Sequence, residues 1–151
     1  MRTVLLLGPV ALLLSTEACS SGASGTYLED LAKPALVWER ASALCGSWLA
    51  VDSEGMLWRE DGGCEDGRPK LRWAGKGDPM KVSSLRQAFE ALPVDAGPER
   101  ADCGGKLFTF SKWTSATRIE SRACARGSSY DDLTGLDEPH LSVAKGFLAL
   151  P

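Results

Sequence analysis

The sequence predicts an α+β domain: a mainly antiparallel sheet built from two hairpins, stapled by disulfides, with helices packed on one face. Three observations predict it. Paired strand-length runs flank turn residues in two places, Ser47 to Ser53 with Met56 to Arg59, and Leu107 to Ser111 with Thr117 to Ser121. A helical pattern follows each set of strands, giving the order strands, helix, strands, helix. Of the five cysteines, Cys45, Cys64, Cys103 and Cys124 lie within the body of the chain, an even set that reads as disulfides in an exported protein.

The elements follow in order. Ala35 to Arg40 reads as a first strand, with a short helix over Trp38 to Leu44 as the alternative. A two-residue turn centred on Glu54-Gly55 pairs Val51 with Trp58 and Ser53 with Met56, making that side the core face, and sets Cys45 directly opposite Cys64. Gly62 to Pro69 is rich in turn formers, and Lys70 to Trp73 reads as a further strand. Ser84 followed by Gln87 forms a capping box for a short helix that buries Leu85, Phe89 and Leu92 and stops at Pro93. In the second hairpin the midpoint between Cys103 and Cys124 falls beside the turn Thr114-Ser115-Ala116, a small offset that a bulge absorbs. Asp137 caps a last helix with Pro139 in its first turn and Leu141, Ala144 and Leu148 along one side, weakened by Gly146.

The expected disulfides are therefore Cys45–Cys64 and Cys103–Cys124. Each closes a loop of about 20 residues, worth roughly 3 kcal/mol if strain is small. A four-thiolate zinc site is the rival reading, and it is disfavoured because the chain has no Cys-x-x-Cys pair.

The N-terminus supplies an address. Arg2 precedes the apolar run Val4 to Leu14, which leads into Ser15-Thr16-Glu17-Ala18-Cys19. The run is too short for a membrane-spanning helix, which needs about 20 apolar residues, and fits an export signal over residues 1–18. Ala18-Cys19 resembles the end of the bacterial lipobox, in which the cysteine carries a lipid; Thr16 and Glu17 depart from that pattern. The resemblance implies a membrane anchor at Cys19, a flexible spacer over 19–26 rich in Ser and Gly, and a single domain over 27–151. Ser20 after the cysteine implies the outer membrane if the source has two membranes. Ordinary secretion is the second reading, with cleavage after Ala18 or Ala23.

Composition narrows the partners. A chain of this length builds one core, and the formal charge of −3 argues against nucleic acid, which requires a basic face. Lys70, Arg72 and Lys76 form only a small basic group, read as a solvated strand face. Five tryptophans are many for this size. On the two-residue turn Trp48 and Trp58 project from opposite sides of the hairpin, so one of them is a candidate exposed contact unless helices or the N-terminal segment cover both faces.

Candidate chemistry is sparse. Cys45-Gly46-Ser47-Trp48 has only a superficial likeness to a papain-type motif, whose nucleophile is missing. The single histidine, His140, stands at the start of the last helix where a solvent-facing residue is expected, and no motif supplies it with a nucleophile or an oxyanion donor. The acidic run Tyr130 to Glu138 lacks the alternating spacing of a calcium loop and reads as a solvated loop with a helix cap. These observations imply neither cofactor, metal nor catalysis.

The layout is similar to the small secreted protease inhibitors of the emfourin type and to exported bacterial proteins sharing their outline. The likeness is carried by Glu39-Arg40 at a strand end, Cys45-Gly46, Ser53-Glu54-Gly55, the helix Ser84 to Leu92 and the strand Phe108-Thr109-Phe110. Ala41-Ser42-Ala43 replaces the Ser-Gly-Gly that such sequences often carry, and no inhibitory residue is transferred. Two expectations stand: an envelope lipoprotein that binds a protein or another envelope component without catalysis, or a secreted or tethered inhibitor.

Overall fold

Seven strands form one sheet in the order β1-β5-β4-β3-β2-β6-β7, and every neighbouring pair is antiparallel. The strands are β1 (Thr26–Tyr27), β2 (Ala35–Ala41), β3 (Ser47–Val51), β4 (Met56–Glu60), β5 (Lys70–Lys76), β6 (Lys106–Trp113) and β7 (Arg118–Ala125), with helices α1 (Pro79–Glu90) and α2 (His140–Leu148). This computed structural model describes residues 25–41, 46–60, 68–94, 96–99, 102–127, 129 and 131–150. Cys19, Cys45, Cys64, the expected signal over 1–18 and most of the expected spacer lie outside them.

The α+β class and the helices on one face are as the sequence predicts. The two hairpins exist, but they are parts of a larger sheet. Strand β2 joins them by pairing with β3 on one side and β6 on the other. A strand buried on both faces has no use for alternation, and Leu36, Val37 and Trp38 form a continuous apolar run accordingly. Leu36 and Trp38 face the helices, while Ala35 and Val37 face the opposite side.

The helix-side core is aromatic. Trp38 is fully enclosed, edge-on to Phe108 at 5.2 Å and stacked on Phe110 at 5.8 Å between ring centroids. Phe89 of α1 and Phe147 of α2 close over it, meeting each other at 5.9 Å. The opposite face has a smaller core of Leu28, Leu31, Ala35, Val37, Ala50 and Leu71. A single 3-10 turn, Leu28–Asp30, supplies its lid.

The first hairpin differs from the expected register by one residue. Ala50 pairs with Trp58 and Val51 with Leu57, because the loop has three residues, Ser53-Glu54-Gly55, with Gly55 at φ +78°. Asp52 dictates this turn: its Oδ1 accepts from the backbone N–H groups of Glu54 and Met56, both at 2.9 Å. With a side-chain period of two, a one-residue slip reverses the faces. Val51 therefore shares the helix face with Leu57, and Trp48 and Trp58 share the other face. Both tryptophans are half-buried against the smaller core, on one side of the hairpin and not on opposite sides as the two-residue turn predicts.

Helix α1 starts before the expected capping box. Asp78 caps it, its Oδ1 accepting from Met80 and Lys81 N–H at 3.0 Å, with Pro79 in the first turn. Val82, Leu85 and Phe89 form the buried stripe. Helix α2 has no side-chain cap from Asp137; Val143, Ala144 and Phe147 are its buried residues and Leu148 is exposed.

Cys103 and Cys124 are disulfide-bonded, with Cα atoms 5.4 Å apart. The pairing is as expected and the register is not. Leu107 stands opposite Cys124, and Cys103 reaches it from the loop before β6.

Candidate functional site

The two borders of the sheet are unequally protected. On the β7 side, Ala96 bridges to Ser121 and its carbonyl accepts the Arg122 N–H at 2.8 Å, so a loop partly covers that edge. On the other side β1 spans only two residues, pairing Thr26 with Leu71 and Tyr27 with Lys70. The outer backbone of Arg72 to Lys76 has no strand partner among the described residues.

This open stretch carries the most exposed aromatic ring among the described residues, Trp73, at 60 %. A bulge at Ala74 shifts the β4–β5 register between Leu57 and Trp58, setting Trp73 opposite Trp58 and Arg72 opposite Arg59. Arg59, Arg72, Trp73 and Ala74 border a shallow hollow of about 380 Å³. Both arginines are exposed, and neither has an ion-pair partner among the described residues. Like charges directly opposite on adjacent strands are destabilising. The arginine pair, on the helix side of the sheet, is suited to receiving an anion, and the indole, which projects with Trp58 from the other face of the same border, to lie on an apolar or amphipathic surface.

A second concavity, about 90 Å³, lies between the end of α1 and strands β6 and β7. Phe89, Leu92, Val94, Phe110 and Ile119 make it apolar, and Ser121 lies at its lining. The Ser121 hydroxyl is hydrogen-bonded to His140 Nε2 at 2.9 Å, and the imidazole lies 5.6 Å from the Phe110 ring. His140 is thus half-buried rather than solvent-facing, and burial lowers its pKa, favouring the neutral ring. Ser121 is itself sealed, at 2 % exposure. The pair satisfies a buried hydroxyl, a structural task that needs no further chemistry.

The acidic run is divided among separate tasks. Asp131 Oδ1 accepts from Arg40 Nη1 at 2.9 Å, and Asp132 Oδ1 accepts from both the N–H and the hydroxyl of Thr134. Glu138 receives the Ser142 N–H at 3.2 Å. Arg40 is buried; besides Asp131 it donates to Ser47 Oγ at 2.7 Å and lies over the Trp38 ring. Burial pushes the nearby Glu60 carboxyl up, against the opposing pull of Arg40.

Of the residues singled out from sequence, the structure joins Cys103 to Cys124 and sets Trp48 and Trp58 together under the N-terminal lid. Lys70, Arg72 and Lys76 lie on one strand but not on one face, because the bulge at Ala74 turns Lys76 to the side of Trp73. Arg59 and Trp73, which complete the basic and aromatic edge, were missed, because only the bulged register brings Arg59 beside Arg72. No family model, curated protein or solved structure matches this chain.

Proposed function

We propose that this protein is an exported binding module of the cell envelope, tethered through a lipid on Cys19, which makes non-catalytic contacts through the β4–β5 edge. The observation that carries the reading is an unpaired strand border that exposes the unneutralised pair Arg59–Arg72 on one face and Trp73 on the other. Guarding an open strand border accounts for a cation there but not for a bare indole or for two cations set directly opposite each other, whereas a ligand gives a reason for both. The sequence supports the tether: an export signal runs into Ala18-Cys19, and a Ser- and Gly-rich spacer follows.

Intact mass and membrane fractionation of the chain expressed in a bacterium, beside a Cys19→Ala variant, test the tether. A diacylglyceryl mass on Cys19, with membrane recovery lost in the variant, supports it. A soluble product beginning at Cys19 or Ser24 without lipid overturns it.

A further inference from the structure

We infer that the β4–β5 edge is a lipid-facing surface, on which Arg59, Arg72 and Trp73 meet the anionic phospholipid headgroups of the membrane that holds the tether. The inference rests on the tethered reading above and adds the ligand. Its first support is where the chain enters the domain. Because β1 is antiparallel to β5, Gly25 lies on the Arg72 side of the Thr26–Leu71 pair, close against the Lys70 side chain. The N-terminal connection thus meets the domain at the border that carries the exposed cations and indole.

The second support is reach. Ser20 to Gly25 can span at most about 20 Å when fully extended. A lipid on Cys19 therefore keeps this border within about that distance of the bilayer. Electrostatic attraction fades over roughly 8 Å at physiological salt, so a tether that holds exposed cations near a membrane strengthens their action on it. Here the tether and the basic edge coincide.

The third support is chemical match. Arg59 and Arg72 lack carboxylate partners among the described residues, and Lys76 on the same strand is exposed. Each such cation near an anionic leaflet strengthens binding roughly fivefold. Tryptophan is the side chain favoured at headgroup depth, where the ring is apolar and its N–H remains hydrated. Cations on border strands also guard against edge-to-edge aggregation. That duty accounts for Arg72 and Lys76 but leaves the exposed indole of Trp73 unexplained.

The test separates this face from the tether. In the mature chain from residue 19 carrying Cys19→Ala, co-sedimentation is measured with phosphatidylcholine vesicles with and without phosphatidylglycerol. Binding is expected only with phosphatidylglycerol, falling about fivefold for Arg72→Gln and about 25-fold for Arg59→Gln with Arg72→Gln. In the natural chain reconstituted into vesicles, brominated phosphatidylglycerol should quench the part of the emission that Trp73→Phe removes.

Quenching unchanged by Trp73→Phe, or equal binding to both kinds of vesicle, overturns the inference. So does a lipidated chain that shows no Trp73 quenching, a result that leaves the tether intact. Vesicle binding by a chain whose mass shows no lipid would keep the face and remove the tether. Circular dichroism of each variant checks that the fold is retained.

Discussion

The indole N–H of Trp58 donates to Asp52 Oδ2 at 2.9 Å, while the other oxygen of the same carboxylate holds the turn that sets where Trp58 points. Turn and ring are thereby fixed by one buried side chain, 3 % exposed. Asp52→Ala should cost about 2–4 kcal/mol, given several hydrogen bonds to a charged acceptor. Asp52→Asn should cost nearly as much, because one end of its amide must present N–H either to the indole or to the turn. Urea denaturation of the two variants checks both statements; a tolerated Asn would mean that the Trp58 bond contributes little.

Arg40 and Asp131 should respond unequally to removal. Asp131 is exposed, so Asp131→Ala is expected to cost less than about 1 kcal/mol. Arg40 is buried, stacks on Trp38 and donates to Ser47 as well, so Arg40→Ala should cost about 2–3 kcal/mol through lost packing and hydrogen bonds. Thermal melts of the two variants give the comparison, and equal losses would contradict it.

The Cys103–Cys124 bond joins residues 21 apart in sequence. Replacing both by serine should lower stability by roughly 3 kcal/mol. A non-reducing peptide map should recover the two cysteines in one linked fragment. Linkage of Cys45 to Cys103 or Cys124 would overturn the assignment and with it the expected Cys45–Cys64 pair.

The buried imidazole gives a pH signature of definite sign. His140 has its folded pKa depressed below the ordinary 6.5 by desolvation, so its contribution is complete above that value. As pH falls, the unfolded chain takes up the proton first, and stability declines until the folded pKa is passed. The melting temperature should therefore drop between pH 7.5 and 5.5, and His140→Gln should flatten part of that drop. An identical pH dependence in the variant would show that His140 is not its source.

Much of this fold was legible because its signals are local. The run Ala35 to Arg40, the helix stripe Leu85 and Phe89, and the aromatic alternation of Phe108 and Phe110 each follow from short-range periodicity. The misreadings come from residues whose role depends on side-chain bonding. Glu54-Gly55 fits a two-residue turn until Asp52 takes up the Glu54 and Met56 amides, lengthening the loop and exchanging the faces of the hairpin. Ser84 and Gln87 fit a helix start, yet Asp78-Pro79 is the stronger one and Ser84 lies within the helix.

The basic edge was legible only by half. Arg72 and Lys76 are visible as a small basic group on one strand, but Arg59 comes opposite Arg72 through a bulge at Ala74 that no composition reveals. Strand β1, two residues long, carries no periodic signal at all.

The smaller core has a mechanical consequence. Thr26 and Tyr27 contribute just two residues of pairing to the sheet, and immediately after them Leu28 and Leu31 are buried in the smaller core, against which the tryptophans of the second face pack. Tension applied through the N-terminus would peel β1 away first, at little cost, and then meet those two leucines as a stop. The strands and helices around Trp38 lie beyond that stop, so a tugged domain has a sacrificial outer catch before its main core bears any load.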